Sequence, residues 1–139
     1  MRTMALDLGT KPIGVAVSDA TGLIARGVET IRRQGTQRDF ARLTEIITQE
    51  EVSTIVLGYP KNMNGSIGER AKASEEFREV LLTHFPTIEV KLWDERLSTV
   101  AAEKVLISAD MQRKKRRKII DMMAAVVILQ NYLDSQGRQ

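Results

Sequence analysis

Three acidic positions stand where packing alone would not put them. The first, Asp7, falls between leucines in "MALDLGTK", an apolar β-like run that turns at once through a glycine. A carboxylate buried there costs several kcal/mol unless a cation or a hydrogen-bond network compensates it. In an alternating strand Met4, Leu6 and Leu8 share one side, and Ala5 and Asp7 share the other, where small neighbours leave room for a ligand. Asp94 and Glu95 end the run "EVKLWDE". Successive strand side chains point to opposite faces, so one of the two reaches the face of Asp7, and spacing leaves the choice open. Asp121 is the one polar residue in "IIDMMAAVVIL", a helical segment apolar nearly all round. A buried aspartate there requires a partner, either a cation from "RKKRRK" just upstream or a metal ion. Plainer roles exist for the others too: Asp7 as the cap of its glycine turn, and the strand end as an ion pair with Arg96.

Taken together, a first strand, a later strand end and a last helix would supply a cluster of acidic oxygens. Like charges so placed repel unless cations share them. Hard oxygen ligands select Mg²⁺ or Mn²⁺, and a chain with no cysteine and one histidine is poorly equipped for zinc. Two such ions about 3.5 to 4 Å apart are a device for hydrolysing phosphodiesters.

Other residues could hold phosphates. Thr10 and Lys11 lie in the turn "GTKP". In "GYPKNMNGSIGERA", Lys61, Asn64 and Gly65 precede Ser66, which with Glu69 matches a capping box and predicts a helix N-terminus aimed at the loop. Six consecutive cations, Arg113 to Lys118, would neutralise several phosphates and make binding salt-sensitive. Arg96 follows the acidic strand end. The lone His84 reads as structural or exposed. Capped helices and solvated charge runs explain the same features without a ligand.

The elements that must position these residues follow from periodicity. "TMALDLG", "IGVAVSD" and "LIARGVETI" are β-like runs joined by short turns, which predicts an antiparallel meander. "TQRDFARLTEIITQEE" then places Phe40, Leu43, Ile46 and Ile47 at helical spacing, opened by Thr36 with Asp39 as a capping pattern. "TIVLGYP" reads as a buried strand. The helix "SIGERAKASEEFREVLLTHF" carries Ala73, Phe77, Val80, Leu81 and His84 on one stripe. "IEVKLWDE" is a strand. Helices "STVAAEKVLISAD" and "RKIIDMMAAVVILQNYLDSQ" close the chain across a basic, loop-like hinge. The order βββαβαβα predicts an α/β fold, a five-stranded mixed sheet with helices on both faces.

At 139 residues the chain suits a single domain spanning 1–139, with a disordered tail expected from about residue 135. Its 42% hydrophobic and 28% charged residues are those of an ordinary packed globule. The absence of cysteine points to a reducing, cytoplasmic setting. No apolar run approaches the roughly 20 residues that cross a bilayer, so no membrane partner is expected. A net charge of +3 permits a polyanionic partner without requiring one.

The segments "ALDLGTKPIGVAVSD", "IVLGYPKNMNGSIGERA", "WDERLSTVAAE" and "IIDMMAAVVILQNYL" together resemble the YqgF/RuvX family, described as Holliday junction resolvases or pre-16S rRNA nucleases. The resemblance covers nearly the whole chain. It implies a ribonuclease H-like fold, and Asp7, Glu95 and Asp121 as the metal-binding catalytic acids, with two divalent ions as cofactors. It also implies a nucleic-acid partner, with the 5′ end of precursor 16S rRNA the favoured substrate and branched DNA the alternative. Thr10, Lys11, Lys61, Asn64, Gly65, Arg96 and Lys118 would then hold the backbone. One departure is Pro12, where members usually carry arginine; a cation is lost there and the backbone stiffened. Two other readings compete. "LDLGTK" is similar to the first phosphate loop of actin-type ATPases, which need two facing domains and so a longer chain. A non-catalytic RNA-binding assembly factor would keep the fold and cleave nothing.

Overall fold

A computed structural model describes residues 2–9, 11–62, 64–94 and 113–137. Its strands are β1 (Arg2–Leu8), β2 (Pro12–Ser18), β3 (Ala25–Arg32), β4 (Val52–Tyr59) and β5 (Glu89–Asp94). Its helices are α1 (Thr36–Glu50), α2 (Glu69–His84) and α3 (Arg113–Gly137). The strands form one mixed sheet in the order β3-β2-β1-β4-β5. The meander β1-β2-β3 is antiparallel, as its short turns require, whereas β4 and β5 run parallel to β1 after helical crossovers. β1 is therefore central, with an antiparallel neighbour on one side and a parallel one on the other. The predicted segment "STVAAEKVLISAD" lies outside the described residues, apart from which the element order is the expected one.

Alternation along the strands sorts the core onto two faces. Met4, Leu6, Ile13, Val15, Ile55 and Leu57 pack with Phe40, Leu43 and Ile46 of α1 and with Phe77 and Leu81 of α2. Ala5, Ala16 and Val56 pack on the other side against Ala124, Ala125, Ile128, Leu129 and Tyr132 of α3. Fully burying each large aliphatic chain of the first set contributes about 1.5–3 kcal/mol.

The helix ends depart from expectation. Gly35, at φ 127°, is the N-cap of α1, and no side chain caps it. Thr36 thus lies inside the helix, and Asp39 turns back to accept the Gln34 N–H at 3.0 Å. Gly68 likewise replaces Ser66 as the N-cap of α2, so the capping box of Ser66 and Glu69 does not form. The stripe that α2 buries is Ala71, Ser74, Phe77 and Leu81, which leaves Ala73 and His84 exposed on its flank. His84 stacks on Phe40 with ring centroids 4.3 Å apart.

The basic run from Arg113 to Lys118 is not a hinge, because α3 begins at Arg113 and carries it as continuous helix. At its other end α3 runs on to Gly137, and the Ser135 hydroxyl donates to the Tyr132 carbonyl at 2.7 Å. Among the described residues no helix is long and apolar enough to cross a membrane.

Candidate active site at the end of the central strand

Asp7 is the penultimate residue of β1 and is only 7% exposed. Two residues earlier on the same face, Ala5 packs under α3, so Asp7 belongs to the α3 side of the sheet. Its cross-strand partner in β2 is Gly14. In β4, Leu57 pairs with Leu6, which brings Gly58 level with Asp7 on the other flank. The carboxylate is thus bordered on both neighbouring strands by residues without side chains. An isolated glycine inside a strand marks close approach of another group, and these two glycines are the signal that sequence reasoning missed.

Of the two strand-end acids the structure describes Asp94. Lys91 donates to the Tyr132 hydroxyl at 3.1 Å, and Trp93 meets the Tyr132 ring edge-on at 5.8 Å, so both turn toward α3. Asp94 is in register with Tyr59. The Tyr59 hydroxyl points the other way and donates to Glu75 of α2 at 2.9 Å. Burial first, then the hydrogen bond to Glu75 and the charges of Glu75 and Asp94, raise the pKa of that hydroxyl. Asp94 therefore belongs to the α2 side, away from Asp7.

Of the other expected site residues, Thr10, Glu95 and Arg96 lie outside the described residues. Lys118 and Asp121 are helical positions of α3 whose side chains are likewise outside the description. Among the described residues no three acidic or histidine side chains converge.

Because β1 and β4 are parallel, the loop after β4 reaches the same end of the sheet as Asp7. Lys61 sits there with its Nζ 5.5 Å from the Tyr59 ring centroid. Asn64 does not offer its oxygen outward: it accepts the Ser66 N–H at 3.0 Å and hydroxyl at 2.6 Å. Gly65, at φ 86°, closes the turn by donating its N–H to the Asn62 carbonyl at 2.8 Å. The acceptor side of Asn64 and the Gly65 N–H are thus engaged within the loop that carries Lys61.

The antiparallel turn brings a second group of cations to this end. Pro12 opens β2, and its carbonyl accepts the Gly9 N–H at 2.9 Å. Lys11 is exposed in that turn, and its carbonyl accepts the Arg33 N–H at 2.8 Å. The Arg33 guanidinium reaches the Gly9 carbonyl at 3.4 Å, which sets a cation against the very turn that Pro12 deprives of one. Among the described residues Lys11, Arg32, Arg33 and Arg38 make no ion pair. At the opposite end of the sheet, Arg2 and Arg26 are both paired with Glu50. Arg42 is paired with Glu29 and Glu45, whose hydrogen bonds raise its pKa further.

A family model, RuvX, described as a Holliday junction resolvase, matches residues 1–135. The chain belongs to this family. RuvX relatives align over almost their full length. One from Geobacillus kaustophilus is 59% identical over 138 residues, covering 98% of this chain and 99% of its own. Another from Bacillus subtilis is 55% identical over 137 residues, covering 97% of this chain and 99% of its own. Each bears the name "Putative pre-16S rRNA nuclease". Among solved structures, RuvC of T. thermophilus in complex with a Holliday junction substrate superimposes with a TM-score of 0.63 at 13% identity, covering 99% of this chain and 96% of that one. The fowlpox virus Holliday junction resolvase gives 0.56 at 14% identity, over 98% and 99% of the two chains. This RuvX chain therefore has the fold of these resolvases: the mixed α/β sheet that its element order predicts, and the ribonuclease H-like fold that the family resemblance implies.

Proposed function

We propose that this chain is a nuclease that hydrolyses phosphodiester bonds in structured RNA, with the 5′ end of precursor 16S rRNA as substrate, acting in the cytoplasm as one domain over residues 1–139. The observation that carries this reading is Asp7, a nearly buried carboxylate between two glycines at the end of the central strand, at the end of the sheet where, among the described residues, Lys11, Arg32, Arg33 and Arg38 make no ion pair. The full-length similarity to relatives named for that RNA supports the substrate.

Asp7, Glu95 and Asp121 are the acids we assign to the site. Asp94 faces α2, and the family resemblance makes Glu95 the strand-end acid. Position 121 lies one helical turn before Ala124 and Ala125, the residues with which α3 meets Ala5. The donor chemistry fits hard divalent cations: the acids offer only oxygen, the chain has no cysteine, and its one histidine is exposed on α2, across the sheet. We assign two such ions, Mg²⁺ or Mn²⁺, which when bound favour attack of water on phosphorus and departure of the leaving oxygen. Lys11, Lys61, Arg96 and Lys118 bind and orient the phosphate backbone, with Thr10 in the same turn as Lys11. The glycines opposite Asp7 admit the backbone where a larger residue would exclude it.

The test is a gel assay on a ribosomal RNA leader, a single-stranded RNA and a four-way DNA junction, each with Mg²⁺, Mn²⁺ or EDTA. Cleavage of the RNA leader that vanishes with EDTA and in Asp7→Asn is the expected result. Cleavage of the junction alone would transfer the activity to branched DNA, the reading favoured by the resolvase neighbour bound to a Holliday junction. Binding of RNA without cleavage would make the chain an assembly factor.

A further inference from the structure

On the face of the sheet opposite Asp7, a cavity of about 230 Å³ lies between the first turn of α1 and the middle of α2. We propose that it receives one unpaired guanine base of the bound nucleic acid, an inference that rests on the nucleic-acid reading above.

Its position is the first reason. Leu8 lines the cavity, and Leu8 directly follows Asp7 on β1, so the cavity and the candidate catalytic carboxylate occupy the two faces of one strand end. Arg33 joins them: its guanidinium lines the cavity and also reaches the Gly9 carbonyl in the β1-β2 turn. A strand whose phosphates lie along Lys11, Arg32, Arg33 and Arg38 passes the mouth of the cavity.

Its shape is the second. The volume is below the roughly 300–1,000 Å³ that encloses a drug-sized ligand, and so suits one flat ring system. Phe40 and Phe77, whose ring centroids are 5.5 Å apart, form an aromatic wall. The Arg33 guanidinium lies 5.6 Å from the Phe77 centroid, a second flat surface of the kind on which unstacked bases settle.

Its polar groups decide the ligand. Asp39, 6% exposed, and Glu76 both line the cavity and, ionised, can only accept hydrogen bonds. They disfavour a phosphate there, even though the α1 N-terminus is adjacent. Arg33 and Thr36 supply donors on the same lining. Guanine alone among the bases places two neighbouring donors, N1–H and N2–H₂, beside the acceptor O6. Adenine and cytosine would turn a bare ring nitrogen toward a carboxylate, and uracil a carbonyl.

The experiment uses the full chain without added divalent ion, so that nothing is cut, and follows fluorescence anisotropy of labelled RNA hexamers. The hexamers are all uridine, or carry one central guanosine or one central inosine, which lacks the N2 amino group. The guanosine hexamer should bind about tenfold more tightly than the uridine one, the discrimination expected of a bidentate base contact, and inosine should lose most of that gain. Ala73→Leu, a substitution of an exposed helical residue on the cavity lining, should erase the preference while leaving uridine binding unchanged. Glu76→Gln should weaken it. Equal binding of the hexamers, or a preference that survives Ala73→Leu, overturns the pocket while the nuclease reading stands. Failure of the wild type to bind any hexamer also overturns the pocket and leaves the nuclease reading to the leader assay, whereas a guanosine preference in a chain that cuts no leader sinks only the nuclease.

Discussion

Beneath α1 and α2 the sheet presents Met4, Leu6, Ile13, Val15, Ile55 and Leu57, whereas beneath α3 the same strands present Ala5, Asp7, Gly14, Ala16, Val56 and Gly58. Side-chain size divides the labour. The bulky face fills the space between sheet and helices to interior density and supplies most of the hydrophobic stabilisation. The small face lets α3 approach the backbone closely and, at the strand end, sets Asp7 beside glycines on both neighbouring strands. A site that must admit a nucleic-acid backbone cannot be lined with leucine, and the fold recovers the lost burial on the other side.

Neighbouring residues of β1 break this comparison most sharply. Asp7→Asn should reduce cleavage at least about 10³-fold and leave the thermal midpoint within a few degrees of the parent; single-turnover assays and thermal unfolding of the same preparation measure both. Leu6→Ala, one residue away on the bulky face, should do the reverse. Its loss is about 2–5 kcal/mol by urea titration, with cleavage per folded molecule unchanged below the new transition. Should Leu6→Ala abolish cleavage in fully folded protein, the two faces are not functionally separate. Next in size, Ala125→Leu pushes a large side chain into the close contact beneath α3 and should cost about 1–3 kcal/mol.

The smallest effect belongs to the far end of the sheet, where cations are paired. Glu50 is held below the ordinary carboxylate range, chiefly by its hydrogen bond to Arg26, then by the charges of Arg26 and Arg2, against the opposing effect of burial. A pKa depressed in the folded state adds stability above the unfolded value and loses it as the pH falls through the folded one. Glu50→Gln should therefore cost less than about 1 kcal/mol at neutral pH. The urea midpoints of variant and parent should converge as the pH drops below the usual carboxylate range. Curves that stay parallel into acid would mean that the Arg2–Glu50–Arg26 cluster adds nothing through charge.

Much of this arrangement was legible in the chain. The two-residue period of β1, β2 and β4 and the helical spacing of Phe40, Leu43 and Ile46 are local properties, and they predicted both the element order and the side of β1 on which Asp7 stands. What could not be read depends on partners distant in sequence. Spacing left Asp94 and Glu95 equivalent, and only the pairing of Tyr59 with Glu75 across β4 and α2 turns Asp94 away. The caps were misplaced because glycines, which carry no side-chain signal, stand at both helix starts. The run of six like charges read as a solvated break, yet a helix anchored by Ala124 to Leu133 extends back through it. Arg33 drew no notice because its role comes from the β1-β2 turn folding back beside it.

The central place of β1 also has a meaning in time. Its pairing with β2 is local and needs only a tight turn, whereas its pairing with β4 closes a loop of several tens of residues, and α3 docks across it from the far end of the chain. Local pairings form faster than distant ones, and during synthesis the N-terminal meander is available first. Asp7 is therefore in place long before the last helix brings residue 121 across the sheet. The face of the sheet that holds Asp7 is thus laid down before its cover exists, and the docking of α3 over Ala5 and Ala16 is the step that closes it.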